Sequence, residues 1–346
     1  MSTSTLSTVE KELHGVIVQF PDMDSVQQAI PDPSYLYQDA QATGDSLTCL
    51  FRESEFNELA PYWNEHFSIQ DWHFHYADYV ENKEWRMTRE VHWSEILISR
   101  PKLWIDDVIQ AKMVTMVYQP IFNWKDNAFH LHSHEILARG YIGNGQVILP
   151  ELLFDEARQR GRLYHLDRLC RIEALRASRL CPANSKIFIN FSPSSIFSPK
   201  RCLQSTFEEA KRLSIDPGRV VFEIVESDLI NDLTRIRAIL DHFRDQGYSY
   251  ALDDVGKGMN NIERIRQFHP DYVKLDRLYV RNIDKAPLQQ ECAKRVAESA
   301  EHVNATCIAE GVESVEESDF LRTIGYVIQQ GYLFGRPESS PLTDIH

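Results

Sequence analysis

The chain has 346 residues, 43% hydrophobic and 25% charged, which suits one large core with a smaller companion or two medium domains. Its formal net charge of −14 excludes a non-specific DNA binder and a basic membrane-surface protein. A polyanionic ligand stays admissible, because a bound divalent metal reverses the local sign.

Residues 1–10 are rich in Ser and Thr and are expected to be disordered. The opening MSTSTLSTVEKELHG has no apolar h-region and no run of 18 apolar residues occurs, so a soluble cytoplasmic protein with no membrane partner is expected. Cys49, Cys170, Cys181, Cys202, Cys292 and Cys307 lack C-x-x-C spacing and read as reduced thiols. From Gly15 to Arg100, GVIVQF and SLTCLF read as strands and ESEFNELAPYWNEHF as a helix, giving a small α/β module over residues 1–100. The run Trp72, His73, Phe74, His75, Tyr76 reads as a half-buried strand, with a ligand surface as the alternative. Pro101 breaks the chain, and WIDDVIQAKM forms a short amphipathic lead-in helix.

Residues 101–346 are more regular. Apolar runs recur as MVYQPIF (116–122), FHLHSHEIL (129–137), KIFINF (186–191), RVVFEIV (219–225), YSYALDD (248–254), DYVKLD (271–276), ATCIAEG (305–311) and YVIQQG (326–331). Helix-like segments such as PELLFDEARQRGRLYHLDRLCRIEALRAS and LTRIRAILDHFRDQG lie between them. This rhythm fits a (β/α)8 barrel. An open doubly wound sheet would want a G-x-G-x-x-G after its first strand, and none is present.

Each run starts apolar and finishes in a group that is costly to bury: Glu135, Asn190, Glu223, Asp253 with Asp254, Lys274 with Asp276, Glu310 and Gln330. In a barrel these strand ends meet on one face, where such enzymes place their chemistry. Alternation puts Glu135, Leu137 and Arg139 on one side and His130, His132 and His134 on the other, so the histidines fall outside the acidic site and read as a polar outer face, with an independent transition-metal site as the alternative. The same parity brings Lys274 and Asp276 in together. Oxygen ligands without Cys or His point to Mg2+ or Mn2+. Two such ions clamp a scissile phosphate and generate hydroxide near neutral pH, and Arg139 adds a phosphate contact.

These residues resemble a known family. HEILARG (134–140) is similar to the E-A-L-L-R segment of EAL-domain phosphodiesterases, with Ile136 for the alanine. YQPI (118–121), NFSPSSI (190–196), FEIVESDLI (222–230), ALDDVGKG (251–258), YVKLD (272–276), IAEGVES (308–314) and QGYLFGRP (330–337) follow in order. The resemblance implies metal-dependent hydrolysis of cyclic di-GMP to linear pGpG, and a modified TIM barrel whose first strand runs antiparallel. It also implies a homodimer formed through the barrel. By position, Glu135, Asn190, Glu223 and Asp253 match ligands of a first metal, and Asp254 and Asp276 those of a second. Lys274 and Glu310 match residues that position or deprotonate the attacking water, with Glu135 beside them. Arg139, Gln330 and Glu313 match substrate-side positions, and Glu226 the glutamate that anchors the loop after Asp254.

The chain departs from the family pattern in that loop, where D-D-F-G-x-G-x-S-S becomes DDVGKGMNN (253–261), and at Gly140, which replaces a bulky residue. Both aspartates and both glycines of the loop are kept. A non-catalytic cyclic di-GMP receptor is the main alternative, but degenerate members lose acidic ligands and this chain keeps them. A barrel glycosidase would need two carboxylates and has no use for Lys274 and Asn190.

Overall fold

The computed structural model describes residues 14–30, 47–80, 84–94, 104–143, 145–225, 233–256 and 261–343. The Ser/Thr-rich start, Pro101, Glu226 and loop residues 257–260 lie outside them. Two compact units are present, one of residues 1–106 with 155–164, the other of 107–154 with 165–346.

In the first unit, strands β1 (His14–Phe20), β2 (Leu47–Arg52), β3 (His73–Val80) and β4 (Glu84–Val91) form an antiparallel sheet in the order β2-β1-β3-β4. The helix Glu53–His66 supplies Trp63 to its core. That fully buried indole sits within 5.3–6.1 Å of the rings of Phe51, Trp72, Phe56 and Phe20, and its Nε1 donates to Ala29 O at 2.9 Å. Edge-on aromatic contacts of this kind add to what burial alone contributes. Trp72 and Phe74 therefore pack inward, as the strand reading expected.

The second unit is a closed barrel. Strand β5 (Val114–Lys125) pairs antiparallel with both β6 (Ala128–Tyr141) and the last strand, β13 (Ile328–Gln330). Between them run β8 (Lys186–Phe191), β9 (Val220–Val225), β10 (Ser249–Val255), β11 (Tyr272–Leu275) and β12 (Thr306–Ala309), parallel to β6 and β13. A two-residue strand, β7 (Val147–Ile148), pairs with β6 outside the ring. All eight expected barrel strands are present, and the first runs against the others. The segment read as one helical stretch from Pro150 divides into Pro150–Gln159 and Leu163–Ala177. Between them Gly161 sits at φ +61°, which a glycine adopts freely and a helix interior does not.

The barrel is plugged by Ile121, Phe188, Val221, Ala251, Tyr272, Ile308 and Ile328, one residue from each of seven strands, all buried together. Ser133 of β6, paired with Ile121, is fully buried.

The alternation of β6 is interrupted. Ile121 pairs with Ser133 but Phe122 with Leu131, so His132 is an extra, bulged residue. Parity counted back from Glu135 therefore reaches His134 and does not carry to His130. His134 is fully buried, packs edge-on against Tyr118 and accepts the Leu342 N–H at Nε2 (3.1 Å). Burial pushes its pKa down to about 4. The unfolded chain, with an ordinary histidine, takes up this proton as pH falls from 6.5 toward 4, while the folded chain does not. Native stability is thus fully kept above pH 6.5 and declines through that window by up to about 3 kcal/mol. Urea unfolding at pH 7 and pH 4.5 should show His134→Gln losing less stability than wild type. Equal losses would exclude this histidine as a source of acid sensitivity.

Candidate functional site

The site is the next pleat layer above the plug. Because strand side chains repeat every two residues, adding two to Phe188, Val221, Ala251, Tyr272, Ile308 and Ile328 gives Asn190, Glu223, Asp253, Lys274, Glu310 and Gln330. Ser133 leads likewise to Glu135. In β5, which runs the other way, the matching residue is two before Ile121: Gln119, paired with Glu135.

At the centre of this layer stands Lys274, with no exposed surface. Its Nζ lies 2.5 Å from Glu223 Oε1, 2.5 Å from Glu310 Oε1, 3.4 Å from Glu135 Oε2 and 3.6 Å from Asp253 Oδ1. Burial opposes its charge, but the carboxylates of Asp253, Glu135, Glu223 and Glu310 outweigh that and hold its pKa well above the lysine range. One ammonium faces four carboxyl groups, and these respond differently. Burial and the charge of Glu135 push Glu223 well above the usual carboxylate range, and burial with Asp253 does the same to Glu310. Burial also penalises Glu135, yet Lys274 and donors from Gln330 and Asn190 outweigh it and keep its pKa low. Asn190 Nδ2 donates to Glu135 Oε1 and Gln330 Nε2 to Glu135 Oε2, each at 2.8 Å.

The layer is short of positive charge. Neither carboxylate oxygen of the fully buried Glu223 accepts a hydrogen bond of normal geometry, and Gln330 Oε1 has no partner either. Buried acceptors left in this state are costly unless a cation or donor meets them. Oxygens of Asp253, Asp254 and Glu310 also gather within 4.8 Å of one another. The residues present therefore fit divalent cations with oxygen coordination. Asp254 is held at φ +57°, an unusual conformation for a side-chain-bearing residue, and its N–H donates to Asp253 Oδ1 at 2.8 Å.

The other expected residues have contacts of their own. Asp276 follows the last residue of β11 in an extended conformation, its N–H continuing the ladder to Val255 O at 3.0 Å; it is buried and accepts the Leu278 N–H at 2.8 Å as the N-cap of Arg277–Val280. Arg139 is half-buried and donates to Ala138 O at 2.8 Å. Glu313 is exposed, and its N–H donates to Glu317 Oε2 within a capping box formed with Ser314.

Two supports escaped the sequence reading. Buried Asp167 accepts from Ser192 N (3.0 Å), Ser195 Oγ (2.8 Å) and Arg171 Nε (2.9 Å), which fixes the turn that follows Asn190. Its signal was available: Asp167 and Arg171 stand four apart on an otherwise apolar helical face. The second is Gly331, where an added Cβ would lie 2.1 Å from Val312 O and 2.2 Å from Val312 N. Backbone bonds from Val312 N to Gln330 O and from Leu333 N to Val312 O clamp this approach. Gly331→Ala is expected to destabilise the chain by about 3 kcal/mol, since no flexible side chain can yield. Thermal unfolding would measure it; an unchanged Tm would mean that the two segments separate easily.

Residues 103–337 match the EAL domain. Among curated proteins, the chain is 26% identical over 242 residues to the cyclic di-GMP phosphodiesterase PdeR of Escherichia coli K12, which covers 68% of this chain and 36% of that protein. It is 29% identical over 228 residues to the probable cyclic di-GMP phosphodiesterase PdeG of the same organism, covering 64% and 44%. The chain thus spans less than half the length of either relative. A crystal structure of a standalone versatile EAL protein from Vibrio cholerae O395 in its c-di-GMP-bound form is 29% identical with a TM-score of 0.59, covering 66% of this chain and 94% of that one. The barrel with its reversed first strand, the polar layer above the plug and these matches agree: the chain belongs to the EAL domain family.

Proposed function

We propose that the barrel hydrolyses cyclic di-GMP to linear pGpG with the help of Mg2+ or Mn2+, two ions per site. The observation that carries this reading is the buried Lys274 amid Glu135, Glu223, Asp253 and Glu310, an arrangement with acceptors to spare and too little positive charge. Glu135, Glu223, Asp253 and Asn190 would hold the first ion, and Asp254 with Asp276 the second. Asn190 would ligate through its carbonyl oxygen, because its amide nitrogen is committed to Glu135. When bound, the ions neutralise the phosphate and acidify a water.

The chain's own residues do the rest. Lys274 holds the carboxylates in one geometry and orients the water. Glu310, whose carboxyl burial and Asp253 push well above the usual range, is the group that takes the proton of the attacking water. Arg139 contacts a phosphate oxygen, while Gln330 and Glu313 serve the substrate side and Glu226 steadies the loop after Asp254. We place the reaction in the cytoplasm and in a homodimer formed through the barrel, with residues 1–100 as a regulatory module. Among the described residues no helix is long and apolar enough to cross a membrane.

The test is direct. Purified full-length protein with Mg2+ or Mn2+ should convert cyclic di-GMP to pGpG, resolved by anion-exchange chromatography, and EDTA should stop it. Binding without cleavage under every divalent metal tried would make the chain a receptor. A variant lacking residues 1–100 should then differ from the full chain in turnover.

A further inference from the structure

The N-terminal sheet carries side chains that phosphodiester chemistry does not use. His73 and His75 stand two apart on β3 and leave the same face, opposite the one on which Trp72 and Phe74 are buried. Across the ladder His75 pairs with Glu90 and Phe74 with Val91, the last pair; His73 and His92 are the residues next to that pair on the two strands. Alternation along each strand thus brings three imidazoles and one carboxylate to the same end of the β3–β4 pair.

Their bonding is not that of a merely solvated surface. The Nδ1 of His73 meets Glu90 Oε1 at 3.0 Å. The Nδ1 of His75 is shielded from solvent and has no hydrogen-bond partner, and its ladder neighbour on β1 is the buried Ile17. Glu90 is held below the usual carboxylate range, first by its bond from His73 and then by the charges of His75, His73 and His92, which places all three rings in its field. A carboxylate on one ring nitrogen fixes the imidazole and leaves the other nitrogen to a metal. Three imidazoles with a fourth position open are a donor set that Zn2+ accepts.

We propose that His73, His75 and His92 form a site for Zn2+ or a divalent transition metal of similar imidazole preference, with Glu90 orienting His73. His73 and His92 are exposed, and their rings must turn toward His75 to share one ion, because the three are not already gathered as the oxygens of Asp253, Asp254 and Glu310 are. The site would give the module a ligand of its own, separate from the oxygen-lined barrel.

Co2+ reports such a site, because four-coordinate Co2+ absorbs visibly and more strongly than octahedral Co2+. Full-length protein without a histidine tag is titrated with Co2+ in excess Mg2+, which occupies oxygen ligands. One equivalent should produce the tetrahedral bands, and Zn2+ should displace them. His92→Ala, at an exposed position, should fold and lose the bands. Glu90→Gln should weaken Co2+ binding by roughly 10- to 100-fold, and Asp253→Asn in the barrel should leave it unchanged. In melts, Zn2+ should raise the Tm of wild type but not of His92→Ala or His75→Gln. Bands that survive in His92→Ala, or disappear in Asp253→Asn, overturn the proposal.

Discussion

Glu135→Ala is expected to cut turnover of cyclic di-GMP by at least about 1000-fold, a loss of the size seen when one charge-stabilising group leaves a reaction centre. Glu135 is the acceptor on which three residues converge: Asn190, Gln330 and Lys274. Truncation removes a proposed metal ligand and leaves two amide donors unpaired in a buried layer. Each orphan costs about 1–3 kcal/mol, so the variant should also melt earlier. Glu135→Gln separates the two effects. It keeps the volume and one acceptor but lacks the charge, so it should recover part of the stability and none of the activity. Turnover is read from pGpG formation at saturating Mg2+ or Mn2+, and metal affinity from a Mn2+ titration. An alanine variant that keeps more than a tenth of wild-type activity would remove Glu135 from the reaction.

Lys274→Met should be equally inactive, for a different reason and with a distinct signature. The ammonium is the one cation within ion-pair distance of Glu135, Glu223, Asp253 and Glu310 among the described residues. Removing one partner of a buried charge pair costs about 3–5 kcal/mol, because the other partner stays behind uncompensated. A metal held by the same carboxylates offsets that cost. The Tm of Lys274→Met should therefore rise much more steeply with Mg2+ or Mn2+ than that of wild type. Parallel metal dependence in the two proteins would mean that Lys274 and the cation do not share a charge environment.

The eight barrel strands were legible because each pairs an apolar stretch with a polar end, and that pattern is local. The reversed first strand was not legible from periodicity, since the run MVYQPIF looks the same in either direction; the resemblance supplied it. Parity placed Glu135 correctly and failed once, where the strand stops being regular. At β6 the bulged His132 broke the count before it reached His130. The helical break at Gly161 was visible as a glycine but competed with continuous amphipathic spacing on either side. Asp167 and Gly331 needed tertiary partners, Ser192 and Val312, that no local pattern reveals.

The two-residue step from plug to polar layer has a consequence for what the barrel can tolerate in its lineage. Deleting one residue between Val221 and Glu223, or at the same place in any parallel strand, would turn the carboxylate into the wall. A two-residue slip would exchange each acid for the residue beneath it: Ser133, Val221, Ala251 or Ile308. Neither change can be repaired by substitution elsewhere. Length variation should therefore gather in the connecting loops, while the count within each strand stays frozen even where identities drift.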